Sequence, residues 1–423
     1  MGSDNSNKLS LFDACAMAIG GMVGGGIFAV LGEAVSLSGN SAFLSFGIGG
    51  MLALITGIVY SKLTVKFDEP GGSFSFMEHF TGAGFAGTVS WFLLLGYVFT
   101  VSLYAYTFGA YAARLFGLSG RFQFLLGALI IVLLTVLNLI GVRESGVSED
   151  ILVYGKVVIL TGLVIIGFFA IEPDQMLPVI SKGPGNMIIA GALVFVAYEG
   201  FQLLTYDYED IADHERNLPK AIYISIPVVI ALYMLISFVL TGSVAPEVIM
   251  QNKETALAEL AQPILGRFGV VIVLVAAVLS TSSAILATIF AVARLARRIA
   301  QDGQLPGSLT KKISGGIPVY FTVLIAILAI VIQFFGNLHQ ITTYSSLVFL
   351  IVFSVVNYIG YHIEIFSGWK NLFPLLGSAG CIAAMAILIY NTFATNLATL
   401  YIIAGITLLV LVLRWLYTRF DGN

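Results

Sequence analysis

Charged side chains are scarce in this sequence. Aspartate, glutamate, lysine and arginine make up only 10% of 423 residues, against about 25% in an ordinary soluble domain. With 58% of the chain hydrophobic and a mean hydropathy of +0.98, too little polar surface remains to dissolve a folded globule. Neither sign of charge dominates, and a net charge of -3 offers no electrostatic footprint for nucleic acid. Cysteine is nearly absent. Cys15 and Cys381 both lie in apolar runs, so neither a disulfide framework nor a zinc site is implied. His79, His214, His339 and His362 are scattered without metal-ligand spacing and read as structural; no cofactor is expected. The chain lacks a His-Glu-x-x-His motif or a Ser/His/Asp set at membrane depth, which argues against an embedded enzyme. It also lacks the repeated filter or rings of like charge that a channel would want. The polar start, Met1 to Lys8, runs into an apolar stretch far too long for the core of a cleavable signal peptide.

What is present is a series of long apolar runs. Charge and turn clusters mark off twelve spans of membrane-crossing length, at about 11–37, 41–65, 83–113, 122–141, 150–171, 186–208, 220–243, 266–296, 317–335, 342–364, 373–391 and 396–417. All-round hydrophobic helices in this number predict an all-α integral membrane bundle lying in the lipid bilayer. Lysine and arginine set its orientation. With the N-terminus in the cytosol, fourteen of these residues are cytoplasmic: Lys8, Lys62, Lys66, Arg143, Arg216, Lys220, Arg294, Arg297, Arg298, Lys311, Lys312, Lys370, Arg414 and Arg419. Five are outside, namely Arg114, Arg121, Lys182, Lys253 and Arg267, and Lys156 stays within a span. Both termini are therefore expected on the cytoplasmic face of a multi-pass protein of the cell membrane. The outer segment Val244 to Gly266 reads equally as a short helical lid or as a plain amphipathic connector. Glu33, near the outer end of the first span, is expected at the membrane interface.

Two spans carry interruptions. The first reads Gly20-Gly21-Met22-Val23-Gly24-Gly25-Gly26-Ile27-Phe28. Each glycine there costs about 1 kcal/mol relative to alanine in a helix. Three in a row predict an unwound stretch, with close helix packing around Gly20 and Gly24 as the alternative. The sixth span carries Val196-Ala197-Tyr198-Glu199-Gly200-Phe201, a glycine beside a carboxylate in an apolar run. The first and sixth spans are corresponding members of two five-helix halves, and an odd number of spans per half inverts the second copy. Paired interruptions of this kind point to a transporter's midplane site. Half-helix N-termini suit a carboxylate, and freed carbonyls suit an ammonium group, so a zwitterion fits end to end.

At these residues the chain resembles the amino acid–polyamine–organocation (APC) superfamily of transporters, over nearly its whole length. Gly24-Gly25-Gly26-Ile27-Phe28 is similar to that family's Gly-Ser-Gly-Ile-Phe element, with Gly25 in place of serine, and Ala197-Tyr198-Glu199-Gly200-Phe201 to its Ala-Tyr-x-Gly-Phe break. Glu209-Asp210 with Glu215-Arg216-Asn217-Leu218-Pro219-Lys220-Ala221-Ile222 resembles its cytoplasmic signature, although His214 replaces the usual proline. Pro70-Gly71-Gly72, and Arg294 with Asp302-Gly303-Gln304-Leu305-Pro306, match loop signatures. The resemblance implies a LeuT-like inverted repeat of five plus five helices, over 11–171 and 186–364, with two further helices in 373–417. It implies secondary active, alternating-access transport of amino acids, with protons as the coupling ion. The substrate-binding set it implies is Val23, Gly24, Gly25, Gly26 and Ile27 with Val196, Ala197, Tyr198, Glu199 and Gly200. The Gly24–Gly26 amides would hold the carboxylate, and carbonyls near Val23 and from Val196 to Glu199 the amine. Oligomeric state is left open.

Some members of that family keep a lysine at the place of Lys156, facing the first helix where sodium-coupled relatives bind an ion. An ammonium at this depth costs several kcal/mol unless paired. The alternative is snorkelling to the cytosolic end, about six residues or roughly 9 Å away. Ser280 and Ser283, at i and i+3 in the eighth span, share a face that would turn toward the first helix and Lys156; backbone bonding within their own helix is the alternative. Glu199 stands where the family commonly has a neutral residue. It reads as a cap, a partner for a cationic substrate or a proton carrier, and it keeps a polyamine or organic-cation carrier open as the alternative function. Tyr104, Tyr106 and Phe201 read as ordinary membrane aromatics.

Overall fold

A computed structural model describes residues 8–70, 72–140, 146–310 and 318–420, without the side chains of 146–152 and 310. The expectations on Gly71, Arg143, Lys311 and Lys312 lie outside the described residues.

The apolar runs are helical. In chain order the helices are α1 (Leu11–Val23), α2 (Gly26–Ser38), α3 (Ala42–Phe67), α4 (Ser73–Thr81), α5 (Ala83–Leu115), α6 (Gln123–Leu139), α7 (Gly146–Gly167) and α8 (Pro184–Leu193). A 3-10 run, Val194–Asp210, continues α8. Then come α9 (His214–Ser243), α10 (Pro246–Gln251), α11 (Ala256–Gln301), α12 (Val319–Phe335), α13 (Leu338–His362), α14 (Leu372–Thr395) and α15 (Leu397–Phe420). No strand occurs among the described residues, only an isolated bridge between Leu9 and Ile211. Among the described residues, ten helical runs are long and apolar enough to cross a membrane, while α1 and α12 are shorter apolar helices. The protein is an all-helical, multi-pass membrane protein.

Burial orders the bundle from centre to rim. The most apolar stretches of α5, of the Pro184–Asp210 run and of α13 are each 78% buried, against 17% for α15. The first three therefore form the centre. α15 instead turns Leu408, Leu409, Leu413 and Trp415 outward, a surface that only lipid would cover favourably.

Local chemistry sets the ends that matter for the site. Ser10 caps α1: its hydroxyl accepts from the Asp13 amide at 3.3 Å, and the Asp13 carboxylate accepts from the Ser10 amide at 2.7 Å, a reciprocal capping box. Just upstream, the Leu9 amide donates to Asp210 O and Leu9 O accepts from the Ala212 amide, both at 2.8 Å. The start of α1 is thus tied to the end of the 3-10 run. At the opposite end of the bundle, α11 bends at Gly266, whose φ of +59° lies in the left-handed region that favours glycine. The bend separates the first turns of α11 from its long remainder.

Candidate functional site

The first apolar run is two helices. α1 stops at Val23, α2 starts at Gly26, and Gly24-Gly25 form the turn between them. A break here frees carbonyls at the end of α1 and amides at the start of α2, and in a membrane the freed groups need protein partners. Neighbouring helices supply them for the carbonyls. The Tyr233 hydroxyl on α9 donates to Met22 O at 2.8 Å, and the Ser280 hydroxyl on α11 lies 3.0 Å from Val23 O and 2.5 Å from Gly24 O. Ser280 therefore sits on the interruption. On the other side of the break, Gly26 and Ile27 open α2 at the positive end of its dipole, and the Ile27 amide donates to the Tyr233 hydroxyl.

The glycines around the break serve close approach. A Cβ on Gly26 would lie 2.8 Å from Ala197 O and 2.9 Å from Ala197 Cα, and one on Gly24 would lie 2.7 Å from Ala284 Cβ. Gly21 and Gly200 meet backbone to backbone, since a Cβ on Gly21 would come within 2.7 Å of Gly200 O. Conversely, a Cβ on Gly200 would overlap the Gly21 carbonyl and come within 2.6 Å of the Met22 amide nitrogen. Ile27, Val23, Val196 and Ala197 are buried around this contact.

The sixth span departs from expectation. The change falls at Val194, where α winding becomes 3-10 winding, and the only non-helical dihedrals within that run are at Asp207. Glu199-Gly200 is not unwound. Gly200 is there because Gly21 approaches too closely for a side chain, and the carbonyls from Val196 to Glu199 remain within helical winding. The transition itself is bridged from α13: the Ser346 hydroxyl donates to Leu193 O at 2.6 Å and accepts from the Val196 amide at 3.3 Å. The Tyr198 side chain points away from the break, donating to Phe46 O at 2.9 Å. Glu199 is buried, accepts from Gln202 Nε2 at 3.3 Å and is hydrogen-bonded by Thr100; the Gln202 amide oxygen in turn accepts from the Tyr60 hydroxyl at 3.1 Å.

A third wall comes from α5, which sequence reasoning passed over. Tyr97, Thr100, Tyr104 and Tyr111 lie on one helical face. Tyr97 and Tyr206 share a hydroxyl–hydroxyl bond of 2.9 Å, Thr100 meets Glu199, the Tyr104 ring lies on Gly25, and Tyr111 donates to Phe28 O at 3.4 Å. The signal was available: Tyr97, Tyr104 and Tyr111 recur every seventh residue, two helical turns apart.

Below the break, on the expected cytoplasmic side, a cavity of about 170 Å³ runs between α1, α7, the 3-10 run and α11. Gly20 and Gly21 line its inner end; Ser283 stands on its α11 wall, and Asp207 and Arg294 also line it. Asp207 and Arg294 form an ion pair, and Arg294 lies over the Phe290 ring, 4.5 Å from its centroid. Lys156 is 4% exposed, so it does not snorkel into solvent. It lies one turn beyond Val153, whose Cγ2 would be 2.6 Å from a Cβ on Gly20, and so shares the α7 face that packs on α1.

The opposite side is shut. The outer segment is a strap of two helical pieces joined by a 3-10 turn, Lys253–Thr255, whose apolar face, with Ile249, Leu257 and Leu260, is buried. Lys253 Nζ reaches Glu33 Oε1 at 2.8 Å, and His339 Nδ1 lies 3.2 Å from Glu33 Oε2. Across the strap, the Tyr106 hydroxyl donates to Glu254 at 2.5 Å, and Arg114 bonds Thr255 at 2.7 Å and Glu259 at 2.5 Å. This corrects the expectation for Glu33: it is 2% exposed and ion-paired, not interfacial. A carboxylate at the end of an apolar span gives no sign of partners 220 and 306 residues away. Among the described residues no cluster of His, Cys, Asp and Glu could hold a metal ion.

A multi-pass helical bundle with a broken helix at its centre, a cavity on one side of the break and a closed strap on the other is the architecture of a membrane transporter. An amino acid permease profile matches residues 9–413, and the chain belongs to that family. It is 30% identical to the inner membrane transport protein YbaT of Escherichia coli, over 84% of this chain and 83% of that one. It is 27% identical to the methylthioribose transporter of Bacillus subtilis, over 83% and 80%. With the serine/threonine exchanger SteT of the same bacterium it shares 24% identity over 95% and 96%. The protein is a transporter of amino acids or related substrates, not an enzyme.

Proposed function

We propose that the protein carries amino acids across the membrane by alternating access and in symport with protons, binding each substrate at the Gly24–Gly26 break. The observation that carries this reading is the N-terminus of α2. Its first amides lie at the centre of the bundle beside Ala197, where a substrate carboxylate would meet the positive end of a helix dipole. Val23 O and Gly24 O, each with a second lone pair beyond the Ser280 bond, would receive the amine. The serine/threonine exchanger among the relatives supports a zwitterionic substrate, whereas the methylthioribose transporter makes direct measurement of the substrate necessary. Lys156, Ser280 and Ser283 are the proposed coupling set, around the break and the cavity below it. The helix pattern and the excess of lysine and arginine on one side support twelve crossings with both termini cytoplasmic, arranged as inverted repeats over 11–171 and 186–364 with the last pair in 373–417. Cysteines at 253 and 312 are then labelled from opposite sides of sealed vesicles, and same-side labelling contradicts that topology.

The test is uptake of labelled amino acids and of polyamines into proteoliposomes, with and without an inward proton gradient. Amino acids are expected to accumulate with the gradient. Accumulation of polyamines alone would favour the second reading, an organic-cation carrier, for which the buried Glu199 carboxylate is the supporting observation. Under that reading Glu199→Gln loses cationic substrates selectively and spares neutral ones.

The closed strap and the cavity below the break support an inward-facing state. Opening outward requires the strap to leave Glu33. Removing Lys253 leaves the buried Glu33 carboxylate to His339, so Lys253→Met is expected to favour the state in which Glu33 reaches water. Leu257, fully buried on the inner face of the strap, reports it. In a protein with Cys15 and Cys381 replaced by serine, Leu257→Cys is expected to react faster with an impermeant thiol reagent from outside when Lys253→Met is present. An unchanged rate removes the Glu33–Lys253 pair from the gate.

A further inference from the structure

We infer that Tyr104 is a specificity-determining residue of the candidate site, a wall that limits the size of the substrate side chain, and that Gly25 is glycine because Tyr104 stands on it. The inference rests on the proposed site at the α1–α2 break and concerns a residue that site does not otherwise use.

Three observations converge. First, a Cβ built on Gly25 would fall within the Tyr104 ring edge, against Cγ, Cδ1 and Cε1. The volume that a side chain at position 25 would take is therefore filled from α5, beside the place proposed for the carboxylate at the head of α2. Second, Tyr104 is only 2% exposed, so the bundle encloses its ring. With Gly25 against it, the ring stands at the break in the first run, inside the bundle. Third, the ring is held there by its own helix. Thr100, one turn earlier, meets Glu199, and Tyr111, two turns later, donates to Phe28 O, so α5 is fixed to the 3-10 run and to α2, and Tyr104 cannot withdraw without it.

A rigid aromatic wall at the head of the carboxylate cradle leaves little depth for the group on the substrate's α-carbon. The consequence is a preference for amino acids with small side chains over large apolar or aromatic ones. A single methylene more or less in such a pocket changes discrimination by about 10–200-fold, and a phenol ring is much larger than a methylene.

The experiment measures kcat/KM for alanine, serine, leucine and phenylalanine in proteoliposomes containing wild type, Tyr104→Phe, Tyr104→Ala, Gly25→Ser, and Gly25→Ser combined with Tyr104→Ala. Tyr104→Phe is expected to keep the wild-type order of substrates. Tyr104→Ala is expected to raise the leucine-to-alanine ratio at least about tenfold. Gly25→Ser alone is expected to lose transport and to regain it in the double variant, where the hydroxymethyl group has room. Uniform loss across all four substrates in Tyr104→Ala, with the ratio unchanged, would mean that the ring only packs, and the inference fails. Full activity of Gly25→Ser alone contradicts the steric pairing. Failure of the wild type to carry any of the four amino acids counts against the proposed function instead, and is read before the variants are compared.

Discussion

Gly200→Val is expected to abolish transport and to lower the amount of folded protein recovered in detergent, although it replaces one apolar residue with another in an apolar helix. The reason is the backbone contact between the first and sixth spans. A Cβ at 200 would overlap the Gly21 carbonyl and come within 2.6 Å of the Met22 nitrogen, and no rotamer change relieves a clash with backbone. Overpacking typically costs about 1–3 kcal/mol where side chains can shift, so a rigid contact lies at or above the upper end. The cost also falls where function resides, because separating α1 from the 3-10 run moves Met22 and Val23 off Tyr233 and Ser280. Gly162→Ala on α7 is the control. A Cβ there meets nothing within 4 Å, so the change is expected to be neutral or to stabilise by up to about 1 kcal/mol through helix propensity. Thermal unfolding of both variants, followed by tryptophan fluorescence, separates them. Equal midpoints would show that the two helices tolerate separation at Gly21.

Lys156→Ala is expected to bind substrate yet lose its response to a proton gradient. Lys156 is buried on the α7 face that packs against Gly20 through Val153, and Ser280 on α11 holds the carbonyls of Val23 and Gly24. The ammonium would pin the break as a bound sodium ion would, and loss of its proton would release α1 toward the cavity. Uptake into proteoliposomes with an inward proton gradient and no sodium is expected to follow the gradient in the wild type and to be insensitive to it in the variant. Sodium-dependent uptake by the wild type, or a variant still driven by protons, removes Lys156 from the coupling.

The sequence made the apolar runs legible because a bilayer demands continuous hydrophobic helices, and their lengths leave little freedom. It made the first interruption legible because three adjacent glycines have few other uses at that depth. It was less informative about the sixth span. There Gly200 suggested unwinding, but a glycine at a break and a glycine at a close backbone contact are the same letter, and only the position of Gly21 decides between them. Partners distant in sequence were hidden altogether. Nothing near Glu33 announces Lys253 or His339, and nothing near Asp207 announces Arg294, because such pairs depend on how helices far apart in the sequence meet. The Tyr97, Tyr104 and Tyr111 series was visible as a spacing, but aromatic residues are common in membrane helices, and only the missing side chain at Gly25 gives Tyr104 a role.

Competition between free and esterified amino acids tests the central claim most directly, because the proposed site is defined by the α2 amides receiving a carboxylate. Esterification removes the negative charge and keeps the side chain and the amine. Binding is measured on purified protein as protection of a labelled amino acid's site, over a concentration series of alanine and serine and of their methyl esters. The account predicts that the free amino acids displace the label and that the esters do so at least about tenfold less well, since a charge-assisted hydrogen bond is worth about 1.5–3 kcal/mol. Esters that compete as well as the free amino acids would contradict it.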